Sequence, residues 1–97
     1  MTDISFKKDK NFYVAHFAVS GVLTLHIEMQ GVLVSTFIGI RSTDEGRYKD
    51  VYQTNDNPVD GDFKIGDGNN TKYVEVRCSQ EPYFAQFGGE DVTQIEE

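Results

Sequence analysis

From Tyr13 to Met29 the chain alternates. Tyr13, Ala15, Phe17 and Val19 fall on one side, as do Leu23, Leu25, Ile27 and Met29, while His16, Thr24, His26 and Glu28 fall on the other. A period of two with β-branched and aromatic residues is the mark of a half-buried strand. No stretch of 11 residues holds a 3.6-residue period. The pattern predicts strands near 3–7, 11–19, 22–29, 32–40, 47–53, 61–65, 72–79 and 83–87, with a last short one at 91–95. Gly, Asn and Asp clusters separate them. Short strands at this spacing specify a single all-β domain over residues 1–97, an antiparallel β-sandwich or a small barrel. The end, "GGEDVTQIEE" (88–97), reads either as that last strand or as a loose acidic tail, and "NDNPVDGD" (55–62) reads as the least ordered internal stretch.

The same pattern suggests a register. A two-residue Ser20-Gly21 loop would place Phe17 and Val19 on one face with His26 and Thr24. A three-residue loop, Ser20 to Val22, instead sets Val19 against Leu23, Phe17 against Leu25 and Ala15 against Ile27. Burying each large apolar side chain is worth ~1.5–3 kcal/mol, which outweighs an imperfect turn. A second hairpin at Gln30-Gly31 would continue the apolar face through Val32, Val34, Thr36 and Ile38. The expectation is therefore a three-stranded N-terminal meander. Phe63, Ile65, Val74, Val76 and Cys78 would supply the facing sheet. On the outer face of the meander His16 would lie opposite His26, with Cβ atoms roughly 4.5–5.5 Å apart.

Charge narrows the functional classes. The net charge is −7, and all of the excess lies after residue 40. Such a field opposes direct contact with a nucleic-acid backbone and favours a basic partner or simple solvation. The single cysteine, Cys78, excludes an intrachain disulfide and any zinc spacing, so a reducing compartment is expected. The start, "MTDISFKKDK", has no apolar segment of signal-peptide type. Nothing approaches the ~20 apolar residues of a membrane helix.

Candidate chemistry is sparse. His16 and His26 could form a weak metal or pH-sensitive pair, but two ligands fall short of the three or four that zinc takes. Asp56, Asp60, Asp62 and Asp67 could gather round calcium, yet the EF-hand template fails at Pro58 and Asp67. Turn chemistry accounts for the same residues. "RSTDEGR" (41–47) lacks a phosphate cradle, and Cys78 alternates with Val74 and Val76 as a small core residue would. No catalytic constellation emerges, so no enzyme and no cofactor are expected. The aromatic side chains Tyr48, Tyr52, Tyr83, Phe84 and Phe87 are the candidates for partner binding, since aromatics at sheet edges anchor protein or sugar partners.

The N-terminal segment "ISFKKDKNFYVAHFAVSGVLTLHIE" carries Ile4, Phe6, Tyr13, Val14, Ala15, Phe17, Val19, Ser20, Gly21, Leu25, His26, Ile27 and Glu28 in one pattern. In these residues it resembles small proteins encoded among the structural genes of tailed phages of gut bacteria, including crAss-like phages. His16 departs from the pattern, since a glutamate is common there. The match covers about a quarter of the chain and transfers no catalytic residue. The resemblance implies a virion component made in the host cytoplasm. Its most direct reading is an auxiliary or decoration protein bound to the major capsid protein or another virion protein, with self-association left open. A different class, a small β-sandwich module that recognises carbohydrate or a calcium-dependent ligand through its acidic loops, fits the same composition.

Overall fold

The computed structural model describes residues 1–30, 34–43, 46–55, 58–66 and 68–96. They form ten strands and no helix: β1 (Thr2–Asp3), β2 (Lys7–Asp9), β3 (Phe12–Val19), β4 (Val22–Glu28), β5 (Thr36–Arg41), β6 (Lys49–Thr54), β7 (Val59–Lys64), β8 (Lys72–Cys78), β9 (Phe84–Gly89) and β10 (Val92–Ile95). Two antiparallel sheets pack face to face. The smaller runs β1-β9-β4-β7, and the larger runs β10-β3-β8-β5-β6, with β2 also paired to β3. The architecture is therefore the sandwich, not the barrel.

The N-terminal meander does not form. β3 and β4 lie in different sheets, joined by an arch at Ser20-Gly21. β3 pairs with β8, bringing His16 opposite Glu75 and Phe17 opposite Val74. β4 pairs with β7 and β9, bringing His26 opposite Asp60 and Gln86. The reason is geometric. An arch leaves Ala15, Phe17 and Val19 facing Leu23, Leu25 and Ile27 across the interior, so the burial that favoured the hairpin is obtained without it. It also covers the inner faces of two sheets, which a lone three-stranded sheet would leave wet.

Burial follows the alternation. Phe17, Val19, Leu23, Leu25, Ile27, Ile38, Val74 and Val76 are fully buried, with Met29 and Val34 nearly so. At ~1.5–3 kcal/mol each, these side chains supply most of the driving force for folding. Among the described residues Thr36 and Thr54 are the buried polar side chains, and Thr36, fully buried, donates its hydroxyl to Cys78 Sγ at 3.9 Å. Burial pushes the Cys78 thiol up to about 11, a rise that the Thr36 hydroxyl opposes.

Three connections meet at one end of the sandwich. Ser20 N–H donates to the Asp91 carbonyl at 3.0 Å, Gly66 N–H to Gly21 at 3.0 Å and Glu90 N–H to Val22 at 2.9 Å. Gly89 is required here. Its φ is +111°, and a Cβ would run into the Val22 carbonyl oxygen. Residues 92–95 are a strand paired to β3, not a loose tail. Residues 59–62, expected to be among the least ordered, belong to β7.

Candidate functional site

Because successive side chains alternate across a strand, each sheet presents its even or odd set to solvent. The two outer faces have different chemistry.

The outer face of the larger sheet is an interlocked array of aromatic and charged groups. The Arg77 guanidinium lies 5.4 Å from the Phe12 ring and 5.0 Å from the Phe37 ring, and these two rings meet edge to face at 5.9 Å. Arg77 Nη2 donates to both Asp50 carboxylate oxygens at 2.7 and 2.6 Å. Its Nε lies 3.3 Å from Glu75 Oε1, and Glu75 Oε2 lies 3.0 Å from His16 Nε2. The chain of contacts continues from the His16 ring to Tyr48 at 5.6 Å, and from Tyr48 to the Arg41 guanidinium at 4.4 Å. Gly39 makes this possible, because a Cβ there would meet Tyr48 Cβ at 3.0 Å and Asp50 Oδ1 at 3.1 Å. A bulge at Val51 accompanies it, since Ile38 pairs with Tyr52 but Gly39 pairs with Asp50. The charges Arg41, Arg77, Asp50 and Glu75 cancel.

The outer face of the smaller sheet is acidic. His26 Nε2 lies 3.1 Å from Glu28 Oε2, and its Nδ1 lies 3.3 Å from Asp60 Oδ1. Only the imidazolium has an N–H for each carboxylate, so the Glu28 contact first, then Asp60, raises the His26 pKa above its ordinary value. The Phe84 ring meets the His26 ring edge to face at 5.3 Å. Tyr83 donates its hydroxyl to Glu28 Oε1 at 3.3 Å and its backbone N–H to the Glu28 carbonyl at 3.1 Å. Partial desolvation, then the Glu28 carboxylate, raises the Tyr83 phenol. Thr24 donates to Asp62 at 2.7 Å, and the Gln86 amide donates to Asp3 at 3.1 Å.

The expected pairing of His16 with His26 is thus corrected: the two rings sit on opposite outer faces, each with its own carboxylate partner. The proposed calcium ligands also disperse. Asp60 is engaged by His26 and Asp62 by Thr24, while Asp56 and Asp67 lie outside the described residues. Among the described residues no group of three or more His, Cys, Asp or Glu side chains is arranged to hold a metal.

The five aromatic candidates separate. Tyr48 lies on the outer face of the larger sheet. Tyr52 is at its open edge, where it packs edge to face on Phe63 at 5.1 Å and closes the sandwich. Tyr83 and Phe84 lie on the acidic face. Phe87 is buried against Phe17 at 5.0 Å, so it is a core residue and not a partner contact. Sequence reading missed Phe12, Phe37, Arg41, Tyr73 and Arg77. Their signal is the complement of the core pattern: Tyr73 and Arg77 alternate with Val74, Val76 and Cys78, Phe37 and Arg41 alternate with Thr36, Ile38 and Ile40, and Phe12 falls on the side of β3 opposite Ala15 and Phe17. The Tyr73 ring joins the array 5.8 Å from the Arg41 guanidinium.

Comparison of the chain with protein-family models, with curated proteins and with solved structures returned no match.

Proposed function

We propose that the chain is a non-enzymatic structural protein of a tailed-phage virion, an auxiliary or decoration-type protein that docks on the capsid lattice through the outer face of the larger sheet. The N-terminal resemblance supports the virion setting. The observation that carries the docking face is the neutral Arg–aromatic array of Phe12, Phe37, Arg77, Tyr48 and Arg41. Tyr and Arg are enriched among residues that dominate binding energy. Here they are already held in place by stacking and ion pairs, so little side-chain freedom remains to be lost on docking. Arg77 keeps Asp50 and Glu75 as partners, so its guanidinium would not be desolvated unpaired.

Size is consistent with this. The molecule measures 39 × 26 × 20 Å, and its broad faces offer room for the ~800 Å² per partner of a standard interface. Contacts repeated over neighbouring lattice subunits would lengthen residence further. The acidic face would then point to solvent.

Co-sedimentation with particles of the phage that encodes the chain tests this. Retention is expected, with loss for Phe37→Ala and Tyr48→Ala variants whose melting transition persists, and no loss for Val51→Lys at the sheet edge. Wild-type protein that stays in the supernatant, or retention indifferent to Phe37 and Tyr48, overturns the reading.

A further inference from the structure

The acidic face carries chemistry that the docking reading leaves unused. Tyr83 is 62% exposed and Phe84 38% exposed, yet both are fixed by neighbours: Tyr83 through Glu28 and Phe84 against His26. Two exposed but immobilised rings lie beside a planar grid of hydrogen-bonding groups. The register sets that grid. Asp3 pairs with Gln86, Gln86 with His26 and His26 with Asp60, giving one row across all four strands. Phe84 with Glu28 lies on one side of this row, and Thr24 with Asp62 on the other. Strand spacing places neighbours in a row ~4.8 Å apart.

We infer that this face, centred on Phe84 and Tyr83, is a carbohydrate-binding platform for neutral saccharides. A sugar ring has an apolar C–H face and a rim of hydroxyls, each both donor and acceptor. The aromatic rings match the first. The carboxylates of Glu28, Asp60 and Asp62 accept from the second, while the Gln86 amide, which gives one N–H to Asp3 and has a second, donates to it, and hydrogen bonds to ionised groups are the stronger kind. A protein partner is less suited, because the rings lack the water-excluding apolar surround typical of protein hot spots. Asp3, Glu28, Asp60 and Asp62 outnumber Lys64 and a protonated His26, so sialylated, sulfated or uronic sugars are repelled. The platform lies on the sheet opposite the docking array and does not depend on it.

Amide-resolved NMR titration of the full chain tests this, with neutral gluco-, galacto- and xylo-oligosaccharides, sialyllactose and a basic peptide as separate ligands. At least one neutral saccharide is expected to shift residues 24–28, 60–62 and 83–86 with an affinity on the order of 1 mM. Sialyllactose is expected to bind about tenfold more weakly or not at all. Phe84→Ala and Tyr83→Ala should each abolish the shifts while the rest of the spectrum keeps its folded dispersion. The inference is overturned if no neutral saccharide shifts these residues, if the shifts survive Phe84→Ala, or if the basic peptide alone binds there.

Discussion

Phe17 of β3 and Phe87 of β9 meet edge to face, ring centroids 5.0 Å apart, across the space between the two sheets. Phe17 is fully buried and Phe87 is 8% exposed. The pair ties β3 of the larger sheet to β9 of the smaller one, and both broad faces depend on the attachment of the two sheets.

Phe17→Ala should therefore cost about 3–5 kcal/mol, including the lost ring contact. Phe87→Ala should cost less, because its ring lies nearer the surface. Urea unfolding with a shared slope measures both. A loss under about 1 kcal/mol for Phe17→Ala would place that ring outside the core.

His26 should titrate above 6.5 by NMR, and Glu28→Gln and Asp60→Asn should each bring it down. The folded-state pKa is raised, so the stabilisation is complete below the unfolded value near 6.5 and is lost as pH rises through the folded value. Wild-type stability should fall relative to a His26→Gln variant over that window. A His26 titration at or below 6.5 would contradict the two-carboxylate geometry.

Cys78 should resist a thiol reagent at pH 8 in the native state and react at once in denaturant. Burial both blocks access and holds the thiol protonated, with a pKa near 11. Prompt reaction of the folded protein would show that the core between β8 and β5 opens readily.

Lys10 occupies the two-residue β2–β3 loop with φ +57°, a conformation that L side chains resist. Lys10→Gly should stabilise the protein by about 1 kcal/mol, and Lys10→Asn by less. A destabilised Lys10→Gly variant would mean that the lysine side chain contributes more than its backbone strain costs.

How much of this is legible in the sequence differs by feature. Alternation specifies which side chains are buried: Phe17, Val19, Leu23, Leu25, Ile27, Val74, Val76 and Cys78 all lie in the core. It does not specify their pairing, because a hairpin at Ser20 and an arch between sheets leave the same odd-numbered residues facing inward. Pairing partners such as Glu75 for His16 and Asp60 for His26 lie 59 and 34 positions away, and no local pattern marks them. Phe87 is a parity question of the same kind. Once Phe84 faces out on β9, Phe87 must face in. The Arg77 array is hidden because its members come from β3, β5, β6 and β8. Each is an ordinary polar or aromatic position until the sheet order is known.

The two-faced sandwich rests on β3 and β4 belonging to different sheets, and paired cysteines test this most directly. His16→Cys with Glu75→Cys places two thiols on directly opposed strand positions, a separation that a disulfide spans. That double variant should crosslink under mild oxidation, while His16→Cys with His26→Cys, on opposite outer faces, should stay reduced. Rapid closure of the 16–26 pair with none at 16–75 would contradict the account.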